Sequence, residues 1–142
     1  MISSTVEDVK IINFSKYDDQ RGTLIPIESE KDTPFSIARN FFVFDAPVGT
    51  VRGFHAHREA EQIFVSLIGT CTVILRDGKS VRKITIDSPE QAIYVPSMIW
   101  NEIIYQSENC LFFALTSMNY DINEYISDWE EFLNLKERKK IQ

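Results

Sequence analysis

Arg52-Gly53-Phe54-His55-Ala56-His57-Arg58-Glu59-Ala60-Glu61-Gln62 is the stretch from which the rest of the chain can be read. It carries both histidines of the sequence, two residues apart. Side chains on a strand alternate between faces, so His55 and His57 share one face while Phe54 and Ala56 take the other. A lone histidine is most often structural. The only two of a chain, on one face and just after a glycine, point to a working site, because imidazole changes charge near neutral pH.

Outward from this stretch the chain reads as short β-like runs separated by turns, from Lys10 to Ser117. Val9–Phe14, Thr23–Glu28 and Ala38–Asp45 precede the histidines. Glu61–Ile68 and Cys71–Leu75 flank Gly69-Thr70, which predicts a hairpin, and Asp77-Gly78 predicts a second tight turn. Val81–Ile86 and Gln91–Val95 follow, and Pro96 ends the latter. Trp100–Tyr105 and Leu111–Thr116 are predicted to form a last pair around Ser107-Glu108-Asn109. Many short strands at close spacing argue for an all-β sandwich or barrel.

The tail changes period. Asp121 is a good N-cap with Glu124 three residues on, and Ile122, Tyr125, Ile126, Trp129, Phe132 and Leu133 recur at helical spacing. This predicts a C-terminal helical segment over about 121–138, its aromatic stripe packed as core. With 142 residues, 44% of them hydrophobic, the chain suits a single domain over 1–142, with the barrel at about 10–117.

The net charge of −6, with no basic face, excludes a nucleic-acid binder; the basic cluster Lys136–Lys140 is terminal. No apolar run is long enough to span a bilayer, so no membrane partner is expected. Glu7 and Asp8 interrupt the first ten residues, so no signal peptide is read there, and a cytoplasmic location is expected. Two cysteines, Cys71 and Cys110, make no disulfide scaffold and are read as buried thiols on strands. An acidic protein that binds an anion needs local arginines. Arg39, Arg52 and Arg58 lie near the histidines and are the candidates.

The spacing Gly49, His55-x-His57, Glu61, Gly69 resembles the first cupin motif, with one extra residue between Glu61 and Gly69. In the second motif a third histidine follows a proline; here Pro96 is followed by Asn101 at that place. His55, His57 and Glu61 could in principle form a facial metal triad. Neutral Asn101 is a poor fourth ligand, and a metal-free site is expected.

Further pieces resemble the WxcM-like cupin group of nucleotide-sugar 3,4-ketoisomerases. They are Asp19-Gln20-Arg21-Gly22, Pro34-Phe35-Ser36-Ile37-Ala38-Arg39, Phe44-Asp45-Ala46-Pro47, the Arg52–His57 run with Glu61-Gln62, Leu75-Arg76-Asp77-Gly78, Pro96 with Trp100-Asn101-Glu102, and Tyr120-Asp121 with Glu124-Tyr125-Ile126. The resemblance implies a cupin-type β-barrel (jelly roll) with a short C-terminal helical segment. It implies a dTDP-4-keto-6-deoxyglucose substrate, a 3-keto product destined for 3-amino-3,6-dideoxy sugars of surface polysaccharides or S-layer glycans, a homodimer, and no metal or organic cofactor.

Moving a ketone to the neighbouring carbon needs a base at C3 and protonation at C4 through an enediol. His55 is read as the main base and His57 as acid or oxyanion partner, and the order can be reversed. Arg39 and Arg52 are candidates for the diphosphate. In a regular strand Arg52 faces away from the histidines, unless Gly53 bulges. Phe41 shares the Arg39 face; Tyr94 and Trp100 could stack on thymine. Gln62, Asn101 and Glu102 complete the expected substrate-binding set.

Two departures stand out. The family's Arg-Val-Tyr-Tyr run reads Arg39-Asn40-Phe41-Phe42, which removes a hydroxyl that could shuttle a proton, and its Trp-His-Glu reads Trp100-Asn101-Glu102. The competing readings are a nucleotide-sugar epimerase, a non-catalytic sugar-nucleotide-binding cupin, and a metal-dependent cupin.

Overall fold

The computed structural model describes residues 3–141, with side chains described through Arg138. The elements are β1 Lys10–Asn13, β2 Tyr17–Asp19, β3 Gly22–Leu24, β4 Arg39–Val43, β5 Val51–His57, β6 Gln62–Ile68, β7 Cys71–Arg76, β8 Val81–Ile86, β9 Gln91–Val95, β10 Trp100–Tyr105, β11 Leu111–Thr116, β12 Tyr125–Ile126 and α1 Trp129–Ile141. Two antiparallel five-stranded sheets form, in the orders β1-β9-β6-β11-β4 and β12-β5-β10-β7-β8; β2 and β3 pair by themselves. The jelly-roll expectation is met in the form of two facing sheets rather than a closed barrel.

Alternation along the strands sorts the apolar side chains into three layers. Phe64, Ile93, Val95, Phe112 and Ala114 of the first sheet meet Val73, Leu75, Ile103 and Tyr105 of the second between the sheets, in the lumen. The opposite face of the first sheet, with Ile63, Val65, Ala92 and Leu115, is covered by Ile25, Ile27, Phe35 and Ile37. The expected strand over 23–28 therefore stops at Leu24, and the residues beyond it form a cover. The outer face of the second sheet packs Ala56 and Trp100 against Trp129 and Phe132 of α1.

Two expected pairings do not form, for one reason. β6 and β7 belong to different sheets, as do β10 and β11. Gly69-Thr70 and Ser107–Asn109 are corners that cross between the sheets, and they pack on each other. Ser107 Oγ accepts the Thr70 N–H at 2.7 Å. Gly69 has φ +83, and a Cβ there would run into Ser107 Oγ. The Asp77-Gly78 turn does join a hairpin, β7 to β8, and Asp77 Oδ1 accepts from Lys79 N at 2.9 Å and Ser80 N at 2.8 Å.

Both thiols are buried, with Cys71 on β7 and Cys110 just before β11, their sulfurs 3.0 Å apart. Burial pushes the Cys71 thiol up.

The tail departs most from its expected form. Asp121 caps only a 3-10 turn, Ile122–Glu124, by accepting from Asn123 N at 2.9 Å. The chain then extends as β12 along the edge of β5, pairing Tyr125 with His57 and Ile126 with Ala56. The helix begins at Trp129, where Asp128 Oδ1 accepts from Glu131 N at 2.8 Å. Glu124 is no capping-box residue. Its buried carboxylate accepts from Glu59 N at 2.5 Å and Ala60 N at 2.6 Å, tying the tail to the loop after the histidines. Helical spacing was outcompeted by an unpaired sheet edge.

Candidate active site

β5 does not run regularly through the histidines. Its register against β10 pairs His55 with Asn101 and Gly53 with Glu102, so two steps on β5 match one on β10. Phe54 is the extra residue, at φ +60, and Gly53 before it is at φ +102. This is a β-bulge. A Cβ at Gly53 would stand 2.7 Å from the Asn101 carbonyl oxygen, so glycine is the residue that fits.

The bulge shifts the face count. Arg52 pairs with Ile103 and His55 with Asn101. Asn101 and Ile103 are two apart on β10, and Ile103 is in the lumen core. Arg52 therefore lies on the same lumen face as His55 and His57, not opposite them.

The two imidazoles meet edge to face, with centroids 5.2 Å apart. His57 is 4% exposed and neither of its ring nitrogens has a hydrogen-bond partner among the described residues. Burial, then His55 and Arg39 nearby, lower its pKa to about 3. His55 is also shifted down by burial, an effect opposed by the Gly53 carbonyl. Its Nδ1 lies 3.1 Å from Gly53 O. A proton on Nδ1 satisfies that carbonyl and leaves Nε2 with its lone pair.

Arg39, on the facing sheet, lies opposite Thr116 in register and shares the lumen face with Phe41. Its guanidinium carbon sits 5.3 Å from the Phe41 ring centroid and 5.4 Å from that of Tyr120. Arg39 Nη2 donates to the Tyr125 hydroxyl at 3.3 Å. The Tyr125 ring lies 4.8 Å from His55 and 4.6 Å from His57, centroid to centroid. Gln62 is buried on the lumen side of β6, two residues before Phe64. Asn101 Nδ2 donates to His55 O at 3.3 Å while its Oδ1 has no partner. Among the described residues, the buried side-chain polar atoms without a partner are Arg39 Nε, both nitrogens of His57 and Asn101 Oδ1, and all four belong to this face. Buried polar atoms are nearly always paired, so such a cluster marks a place for polar ligand atoms.

The structure thus brings together His55, His57, Arg39, Phe41, Arg52, Gln62 and Asn101. It places three expected residues elsewhere. Tyr94 points to the outer face of the first sheet, where its hydroxyl donates to Glu61 Oε1 at 2.5 Å. Burial, helped by that carboxylate, pushes the hydroxyl up. Glu61 is accordingly turned away from the imidazoles, and the His55–His57–Glu61 triad is not assembled; no group of three potential ligands forms among the described residues. Trp100 and Glu102 line an outer cleft of about 380 Å3 with Phe54, Arg76 and Trp129. Glu102 Oε2 accepts there from Trp100 Nε1 and Arg76 Nε, both at 3.1 Å. Strand parity separates them from Asn101. Arg58 is also outside the site, bound to Asn123 O and Glu131. Tyr125 is the residue that sequence reasoning missed. Helical spacing assigned it to the core, although it stands in one of the pieces shared with the ketoisomerase group.

Comparison with known proteins gives the chain a family and relatives of the same fold. A family profile described as "FdtA: WxcM-like, C-terminal" matches residues 7–137. The chain belongs to this family. The chain is 44% identical over 123 residues to the TDP-4-oxo-6-deoxy-alpha-D-glucose-3,4-oxoisomerase of Aneurinibacillus thermoaerophilus, covering 87% of this chain and 88% of that protein. A 3,4-ketoisomerase of Helicobacter canadensis superposes with a TM-score of 0.89 at 35% identity, over 92% of this chain and 98% of that one. The sugar 3,4-ketoisomerase QdtA of Thermoanaerobacterium thermosaccharolyticum, solved in complex with TDP, gives 0.91 at 26% identity, over 94% and 98%. Against the WxcM-like pattern, Phe41 and Asn101 are this chain's two departures inside the site.

Proposed function

We propose that this WxcM-like protein is a nucleotide-sugar 3,4-ketoisomerase that converts dTDP-4-keto-6-deoxy-D-glucose into a dTDP-3-keto-6-deoxyhexose. The observation that carries the reading is the imidazole pair beside Arg39, His57 buried and His55 half-buried, with the unpartnered polar atoms of His57, Arg39 and Asn101 on one lumen face. The family relatives named for this reaction support it.

The chemistry follows from the residues. His55 is the base: Gly53 O occupies its Nδ1–H, and burial keeps the ring neutral, so Nε2 can take the C3 proton. His57 is neutral across the physiological range, because its pKa is lowered to about 3. Its N–H supports negative charge on the enediolate oxygen as a donor, rather than as an imidazolium acid. Arg52, exposed at the lumen face, meets the diphosphate, while Gln62 and Asn101 meet the sugar. None of these steps calls for a metal or an organic cofactor. The protein acts as a homodimer in the cytoplasm; among the described residues no helix is long and apolar enough to cross a membrane. Its product is suited to a 3-aminotransferase that makes 3-amino-3,6-dideoxy sugars for surface glycans.

The test is incubation with dTDP-4-keto-6-deoxyglucose and a 3-aminotransferase. A 3-amino product is expected, at a rate unaffected by chelators. Tight dTDP binding without product would favour a binding module instead, a second reading supported by Phe41 and Asn101. A product that keeps its 4-keto group with an inverted ring centre would mark an epimerase.

A further inference from the structure

Position 41 offers no hydroxyl, and Phe41 packs against the lumen core. Another hydroxyl is nonetheless in place. Pairing of β12 with β5 sets Tyr125 opposite His57, and its ring touches both imidazoles. Arg39, held between the rings of Phe41 and Tyr120, donates to the Tyr125 oxygen. That bond uses an oxygen lone pair and leaves the phenolic proton without an acceptor among the described residues.

We infer that Tyr125 is the second acid–base group of the reaction, carrying a proton between the two neighbouring sugar oxygens. The inference rests on the ketoisomerase reading. His55 Nε2 takes the C3 proton as the C3–C4 double bond forms and the C4 carbonyl electrons move to its oxygen. Tyr125 protonates that oxygen, giving a neutral enediol and a phenolate facing Arg39. The phenolate then takes the proton from the C3 hydroxyl; the C3 carbonyl forms and C4 receives the proton from the His55 imidazolium. Both side chains end as they began. One hydroxyl can serve both oxygens because vicinal oxygens lie within a single hydrogen-bond reach.

Tyr125→Phe keeps the ring against the imidazoles and removes only the hydroxyl. The expected result is a fall in kcat of about 10²- to 10³-fold with KM and dTDP affinity nearly unchanged. Exchange of the substrate C3 proton with deuterated solvent should fall less than turnover, because His55 remains. A kcat within about five-fold of the parent would overturn the inference while leaving the ketoisomerase reading intact. If Tyr125→Phe does not fold, fluorotyrosine at position 125 carries the decision. It retains ring and hydroxyl and changes how readily the hydroxyl proton is transferred, so kcat should change with KM nearly unaltered; an unchanged kcat would count against the role. Absence of turnover by the unaltered protein would overturn the underlying reading, and this inference with it, before any variant is made.

Discussion

His55 and His57 are chemically identical and structurally unequal. His55 has one nitrogen committed to Gly53 O and one available, whereas His57 has both nitrogens unpartnered in deeper burial. The difference is the ground on which the proposed mechanism gives proton abstraction to His55 and oxyanion support to His57. His55→Ala is expected to lower kcat by about 10²- to 10⁴-fold, and His57→Ala by about 10²- to 10³-fold, with the fold retained in both. Near-normal rates in steady-state assays of either variant would refute its role. The pH dependence follows from the same burial. The His55 pKa is lowered from 6.5, so the base loses activity only when pH falls below that ordinary value. The acid limb of kcat/KM should lie under pH 6.5, and a limb above it would show the base to be another group.

At the scale of elements, the bulge in β5 decides the site. Without the extra residue Phe54, Arg52 would face outward and the lumen would lose a cation. Gly53→Ala would press a Cβ against the Asn101 carbonyl, in a backbone region that L residues rarely adopt. The variant should lose more than about 2 kcal/mol of stability in urea titrations. It should also weaken dTDP binding, because Arg52 and His55 are rotated together; unchanged affinity would separate the bulge from the site. Period-two alternation was enough to read His55 and His57 on one face, and Arg39 with Phe41, because those segments are regular. The same alternation separates Trp100 and Glu102 from Asn101, so motif membership was a poorer guide to them than parity. Tyr125 was hidden for another reason. Its spacing with Trp129 and Phe132 fits a helix, and only the open edge of β5 turns that segment into a strand. The corners at Gly69 and Ser107 were misread as hairpins because a turn signal does not say which sheet the next strand joins.

For the whole molecule, the lumen that serves the site also weakens the fold in acid. The unfolded chain binds protons at its histidines with a pKa near 6.5, whereas folded His57 holds out until about 3. Between those values the unfolded state carries more protons, so stability rises with pH and is lost as pH falls. His55 adds in the same direction, because its folded value is also lowered. At pH 5 the contribution of His57 alone amounts to about 2 kcal/mol relative to pH 7. Carboxylates titrate in the same range, so the measurement must be a difference. His57→Leu keeps an apolar side chain in the lumen and removes the titrating ring. Urea unfolding of both proteins at pH 7 and pH 5 should show the parent losing more stability than the variant, by about that amount. Saturating dTDP, which binds the folded state alone, should raise the whole curve of the parent at both pH values. Equal losses in parent and variant would mean that His57 takes up its proton in the folded state without penalty, and that the lumen around it is wetter than its unpartnered nitrogens indicate.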